Sequence, residues 1–261
     1  MSKIIVLDPG HDYDDPGSTQ YDGESERAYT LALAQAVRDQ LLARYDCLVF
    51  LTHEGTGAHP GNDLDAELRA RADVANKAGA ALLVSLHHDA GPSTARGGSL
   101  WVWSSRGMHL SAEQNTAPRS YACAQKMAPI IRDTLAAIGI PWRGLYSSDF
   151  GVLRYCDGPA VLIETHFGTN PEDDALMDDP ANVRQLAAGI ARAIAAAVDL
   201  PAASPFSDVP ADAWYAQDVA DLREMGIING DPDGRFRPDD PLTRAEAARL
   251  LRLAVRYITG R

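Results

Sequence analysis

Four consecutive aliphatic residues, Ile4-Ile-Val-Leu7, constrain this chain more than any other feature. A strand wetted on one side alternates apolar and polar residues, so an unbroken apolar run reads as a strand covered on both faces. The run stops at Asp8-Pro9-Gly10, where Pro fixes φ and Gly tolerates backbone geometry closed to other residues. The next residue is His11. Ala80 to Leu86 repeats the arrangement and runs into His87-His88-Asp89, while Ala160 to Glu164 is a third short apolar run, ending on a carboxylate. Ligands of open α/β sheets sit beyond the carboxyl ends of the strands, where the loops splay apart.

Between these runs the pattern changes period. Leu33, Val37 and Leu41 recur at helical spacing behind Glu24-Ser-Glu-Arg27, Leu64 to Ala78 and Arg119 to Ile138 read as helices, and Asp174 to Val198 reads as one long Ala-rich helix. Cys47 to Thr52 reads as a strand, Gly98 to Trp103 as an edge or half-buried strand, and Gly151 to Tyr155 as a short strand. Ser104 to Pro118 is polar and reads as a surface excursion. Strands alternating with helices predict an α/β domain built on a twisted, mostly parallel sheet flanked by helices. Leu200-Pro-Ala-Ala-Ser-Pro205 then interrupts the pattern and divides the chain into residues 1–199, a linker at 200–205 and a small all-α module at 206–261.

Composition excludes several classes of function. The 36 acidic against 24 basic residues give a net charge of −12, which disfavours a nucleic-acid partner and an anionic membrane surface. No run reaches the roughly 20 apolar residues that span a bilayer. Three cysteines, Cys47, Cys123 and Cys156, make no complete disulfide framework and show no metal-binding spacing. Met-Ser-Lys leads straight into the first strand without an apolar signal segment, so the expectation is synthesis in the cytoplasm without a signal peptide.

Four side chains are weighed together: His11, Glu26, His87 and Glu164. Parallel neighbouring strands would bring them to one sheet edge. Two imidazoles and a carboxylate are a ligand set for catalytic zinc, and a further carboxylate beside the metal supplies a general base. No HExxH helix motif is present. Residue types and spacing alone equally allow two loop histidines and two solvated glutamates.

The sequence blocks VLDPGH (6–11), GESER (23–27), VSLHHDA (84–90) and AVLIETHFGTN (160–170) resemble, in order and spacing, the motifs of zinc-dependent N-acetylmuramoyl-L-alanine amidases of the autolysin and phage-lysin type. The resemblance covers residues 3–199. It implies Zn2+ ligands at His11, Glu26 and His87, a catalytic glutamate at Glu164, and a peptidoglycan substrate cut between N-acetylmuramic acid and L-alanine. Three departures stand out: Asp12-Tyr13 replaces a glycine-rich step, Asp89 stands where Asn is common, and Glu26-Arg27 replaces Glu-Lys. Alternation places His166 on the face of Glu164, so His166 and Asp89 are candidate substrate contacts. His88 should point the opposite way, Glu24 reads as a solvated loop acid, and His53, His59 and His109 fall in polar loops.

Residues 206–261 resemble one S-layer homology motif, carried by FSDVP (206–210), Trp214-Tyr215, MGIING (225–230), DGRFRP (233–238) and LTRAE (242–246). Thr243 with Glu246 forms a capping-box pattern, and Gly226 reads as a helix stop. The resemblance implies binding of an anionic secondary cell-wall polymer, with Arg244 and Trp214 as candidate contacts. Such modules usually come in threes. A single copy therefore raises the expectation of a homo-oligomer that completes the module from several chains. A competing calcium-loop pattern at Asn229, Asp231, Asp233 and Gly234 fails at its ninth and twelfth positions, Arg237 and Asp240. The combined expectation is an endolysin acting at the bacterial wall after release; a host autolysin, a zinc peptidase and a non-catalytic wall-binding protein are the alternatives.

Overall fold

The computed structural model describes residues 2–12, 15–55, 63–105, 110–111, 117–201, 203–210 and 213–259. His59 and His109 lie outside the described residues, as do Tyr13 and most of the 104–118 excursion. The described chain divides into two compact units, Met1–Leu42 with Cys47–Leu200, and Pro201–Arg261 with Ala43–Asp46.

The larger unit holds the sheet. Its strands are β1 (Lys3–Pro9), β2 (Cys47–Leu51), β3 (Leu82–Asp89), β4 (Gly98–Trp103), the two-residue β5 (Leu110–Ser111), β6 (Trp142–Ser148) and β7 (Ala160–Phe167). They run in the order β2-β1-β3-β7-β4-β6-β5. Pairing is parallel from β2 through β7 and between β4 and β6, and antiparallel at β4–β7 and β5–β6. Helices α1 (Glu26–Arg44), α2 (Leu64–Ala78), α3 (Pro118–Ala137), α4 (Gly151–Arg154), α5 (Pro171–Met177) and α6 (Pro180–Val198) accompany it. Ile5, Val6 and Leu7 are completely buried, as are Leu82, Leu83 and Val84, which is what the unbroken apolar runs required. No helix among the described residues is long and apolar enough to cross a membrane.

The structure corrects four details of the sequence reading. Gly151–Arg154 is a helical turn rather than a strand; Val152 and Leu153 are buried either way, and so short an apolar run carries no period to distinguish the two. β4 is an interior strand, hydrogen-bonded to β7 on one side and β6 on the other. β6 itself carries the weakly alternating segment WRGLYSS, and its strand pattern is not evident from composition. The long Ala-rich helix is two helices, because Asp179 caps a new one with Pro180 in its first turn. Proline there fits a helix start and disfavours continuation from the preceding turn.

The ends of the central strands are cross-braced. Asp8, wholly buried at the end of β1, accepts hydrogen bonds from Thr52 Oγ1 and Ser85 Oγ, both at 2.6 Å. Buried Arg71 of α2 donates to the Pro9 carbonyl at 3.0 Å and pairs with Glu67 at 2.9 Å. Most buried polar groups in a fold are partnered. Here the partners fix the loop in which His11 lies.

The smaller unit contains α7 (Ala216–Glu224) and α8 (Arg244–Thr259). Phe206, Val209, Val219, Ile227 and Ile228 form its core, against which Leu250, Leu253 and Ala254 of α8 pack. Gly226 follows α7 with φ 67°, a left-handed stop. Thr243 and Glu246 cap α8 reciprocally: the Glu246 carboxylate accepts the Thr243 N–H at 2.8 Å, and the Glu246 N–H donates to Thr243 Oγ1 at 3.2 Å. Arg237 pairs with Asp231 at 2.5 Å and also reaches Asp233 and Asp240, so a side-chain cation already occupies the acidic turn of the calcium-like pattern.

Candidate metal and catalytic centre

The order β1-β3-β7 places three parallel strands side by side, and their carboxyl ends carry the candidate residues. His11 follows β1 by two residues, His87 lies near the end of β3, and Glu164 sits directly opposite His87 in the β3–β7 register. Glu26 opens α1 and is buried. One donor atom each from His11, Glu26 and His87 falls within 4.8 Å of the others. The sequence is constrained around them: a methyl group at Gly10 would meet the His87 ring at 2.3 Å, and one at Gly17 (φ 69°) would meet His11 Cδ2 at 2.6 Å. His11 itself has φ 62°, an uncommon left-handed conformation for a residue with a Cβ.

Glu26 joins the two imidazoles. Its Oε2 lies 3.1 Å from His11 Nε2 and its Oε1 2.9 Å from His87 Nδ1. The Ser18 N–H and hydroxyl donate to Oε2 at 3.1 and 3.0 Å, and the His88 N–H donates to Oε1 at 3.3 Å. Burial alone would raise the Glu26 pKa, but its hydrogen bonds with His11 and His87 and their charge hold it well below the usual carboxylate range. The other nitrogen of His11, Nδ1, donates to Asp15 Oδ2 at 2.7 Å. Burial lowers the His11 pKa, yet Glu26 and then Asp15 outweigh it, and it is raised to about 9.

Glu164 Oε2 is buried and has no hydrogen-bond partner. Burial, then the charges of Asp89 and Glu26, push its carboxyl well above the ordinary range. Asp89 is part-exposed at the end of β3, and its Oδ1 accepts the Ala90 N–H at 2.9 Å.

His166 does not share the surroundings of Glu164, contrary to simple alternation. Between His87↔Glu164 and Asp89↔Phe167, β3 advances two residues and β7 three, so β7 carries a bulge. One inserted residue reverses the facing of the residues beyond it. His166 is fully buried, its ring 5.1 Å from that of His88 and 5.0 Å from Tyr29. It has no solvent-facing surface for a substrate. His88 is buried, Glu24 is exposed, and His53 hydrogen-bonds the Pro9 carbonyl at 2.9 Å. In the smaller unit Arg244 is exposed at the first turn of α8, and Trp214 is 89 % exposed with its ring 5.4 Å from Tyr215.

Sequence reasoning missed Asp15 and Ser18. The His-x-x-x-Asp spacing is the only available sign of the first, and nothing local marks the second, because its partner lies eight residues on.

The donor set suits zinc. Imidazole is a borderline donor and carboxylate a harder one, zinc accepts both, and a carboxylate on the far nitrogen of one imidazole is the usual outer support of such a ligand. Here Asp15 fills that outer position.

Comparison with known proteins agrees with this geometry. Residues 5–196 match the N-acetylmuramoyl-L-alanine amidase family and residues 205–248 the S-layer homology domain. An endolysin of Bacillus phage SPP1 is 30% identical over 234 residues, covering 90% of this chain and 79% of its own. An N-acetylmuramyl-L-alanine amidase structure from Mycobacterium smegmatis aligns with TM-score 0.60 at 30% identity, over 76% of this chain and 97% of that one. One from Clostridium difficile aligns with TM-score 0.63 at 26% identity, over 76% and 97%. The protein belongs to the N-acetylmuramoyl-L-alanine amidase family and carries an S-layer homology domain at its C-terminal end.

Proposed function

We propose that this chain is a zinc-dependent peptidoglycan hydrolase that cleaves the amide between the lactyl group of N-acetylmuramic acid and the L-alanine of the stem peptide. The observation that carries the reading is the convergence of three donor atoms within 4.8 Å beside a buried, unpartnered carboxylate oxygen at one sheet edge. His11, Glu26 and His87 would hold the metal. Zinc, when bound, supplies a Lewis acid for the scissile carbonyl and makes water acidic enough to ionise near neutral pH.

The protein's own residues do the rest. Asp15 holds the Nδ1 proton of His11, leaving Nε2 facing Glu26. Ser18 and the His88 N–H hold the Glu26 carboxylate in place. Burial, Asp89 and Glu26 raise the Glu164 carboxyl, and a cation held by His11, Glu26 and His87 would favour its ionised form; Glu164 would then take a proton from the attacking water and deliver it to the departing nitrogen. The carbonyl carbon gains the water oxygen and the C–N bond breaks, leaving a lactyl carboxylate and a free L-alanine amine. The test is digestion of purified walls with identification of new termini. New L-alanine amino termini are expected; termini elsewhere in the stem would indicate a peptidase, and none on several wall types would favour a binding protein.

Metal loading has a proton signature. With a pKa of about 9, metal-free His11 is protonated at pH 7, whereas Glu26 is already ionised. Zinc binding at pH 7 is therefore expected to release about one proton from His11, with affinity rising about tenfold per pH unit until pH approaches 9. Calorimetry in buffers of different ionisation enthalpy measures this. Zinc binding that is independent of pH between 7 and 9 would refute displacement of a proton from His11 by the metal.

The smaller unit is proposed to bind an anionic secondary cell-wall polymer through exposed Arg244 and Trp214, since guanidinium pairs carboxylates bidentately. Unchanged wall co-sedimentation of the Arg244→Ala, Trp214→Ala double variant would refute these contacts. Leu251, Val255 and Ile258 of α8, at 69, 57 and 81 % exposure, support association of several copies through this module. A monomer by light scattering at micromolar concentration would exclude it. The SPP1 relative favours an endolysin over a host autolysin; production confined to prophage induction is the expected result, and steady production during growth the contrary one.

A further inference from the structure

A second acidic cluster lies away from the donor set just described. Asp22 sits in the turn enclosed by the Thr19–Ser25 bridge, Asp174 lies within α5, and Asp178 caps the same helix one turn later. One carboxylate oxygen from each falls within 4.8 Å of the others. Acidic surface groups often gather without consequence, and Asp22 and Asp178 are exposed. Asp174 differs. It is only 2 % exposed, and although its Oδ2 accepts the Asp22 N–H at 3.0 Å, its Oδ1 is buried without any hydrogen-bond partner.

A buried carboxylate oxygen left unpartnered is among the costlier defects a fold can carry, and an ion is one of its ordinary explanations. Burial and the neighbouring charges of Asp22, Asp178 and Glu24 outweigh the Asp22 N–H and push Asp174 up to about 6. Arg96 neutralises Glu172 and Asp173 on the same helix, whereas among the described residues no Lys or Arg pairs with Asp22, Asp174 or Asp178. A positive charge suits this position.

We propose that Asp22, Asp174 and Asp178 form a calcium site that ties the turn preceding α1 to α5. All-oxygen ligands exclude the zinc preference of the first site. Three carboxylates from two separate segments, two of them solvent-facing, fit the variable coordination of calcium better than the strict octahedron of magnesium. Water completes the shell on the exposed side. The turn runs directly into Glu26, so the ion would stiffen the backbone that leads to α1.

The test is calorimetric titration of the full chain with calcium in saturating zinc, alongside thermal melting. One calcium per chain with Kd of about 10⁻⁴–10⁻³ M is expected, as in extracellular calcium modules. Millimolar calcium should raise the melting midpoint by several degrees and magnesium much less. Asp174→Asn keeps the shape and the acceptor for the Asp22 N–H and should abolish the calcium response. Asp178→Ala, on an exposed cap, should leave the fold intact and weaken binding at least tenfold. No binding up to about 10 mM calcium, well above this affinity range, would overturn the site. So would undiminished binding in the Asp174→Asn or Asp178→Ala chain, or tighter binding of magnesium.

Discussion

Glu164→Gln is expected to lower kcat on peptidoglycan by about 10²- to 10⁴-fold, the usual contribution of a positioned general acid–base, while zinc content stays at the wild-type level. Glutamine preserves volume and hydrogen-bonding reach but cannot accept the proton of water or pass one to an amine. The metal content should not change, because Glu164 stands across from His87 in the strand register and is not among the three converging donors. Stability should move the other way. In the metal-free protein the Glu164 carboxyl sits well above its ordinary range because burial and the charges of Asp89 and Glu26 disfavour its ionised form. A carboxyl raised in this manner makes the fold progressively less stable as pH climbs above the unfolded-state value of about 4.3. Glutamine removes that penalty, so metal-free Glu164→Gln should melt at or above the wild-type midpoint at pH 8. Loss of activity with a gain in stability separates a reacting group from a merely structural one. A variant retaining kcat within threefold would exclude Glu164 from proton transfer.

How much of the fold and site is legible in the sequence depends on the physical signal each part carries. β1 and β3 announce themselves because both faces are covered, which writes burial directly into the sequence as Ile5–Leu7 and Leu82–Leu86. The convergence of His11, His87 and Glu164 follows once those strands are neighbours, and Glu26 joins them as the acid that opens the first helix. The bulge in β7 leaves no such trace. Whether Thr165-His166 advances by two residues or three depends on its pairing with β3, and tertiary pairing is what sent His166 to the side of His88 and Tyr29. Asp15 and Ser18 were hidden for a similar reason. Polar loop residues are common, and only the folded loop shows that one holds His11 and the other Glu26.

Glu26→Ala should have the broadest consequence of any single change at this centre. The side chain is 5 % exposed and bridges His11 at 3.1 Å and His87 at 2.9 Å, with Ser18 and the His88 N–H completing its shell. Its removal reduces the donor set from three to two, too few for a tetrahedral zinc site that must also keep a position open. Zinc occupancy is expected to fall below about one-tenth and activity with it, since the metal supplies both the Lewis acid and the activated water. The metal-free fold should suffer independently. Its half-buried partners lose a counter-charge, a change that costs about 3 kcal/mol, at the lower end for broken buried pairs because the imidazoles are partly solvated and can shed their protons. In a unit of this size that corresponds to a midpoint drop of roughly 6–12 °C. Sign and pH dependence follow from His11. Its pKa, raised to about 9 chiefly against burial by Glu26, means the pair contributes fully below about pH 6.5 and fades as pH passes 9. The wild-type advantage over Glu26→Ala, measured on metal-free protein, should therefore be larger at pH 6 than at pH 10. The neighbouring Glu24→Ala supplies the control: it removes an equal charge two residues away, from an exposed side chain with no contact to either imidazole, and should leave zinc content intact. Equal zinc loss in both variants would mean that net charge, rather than ligation by Glu26, governs the metal.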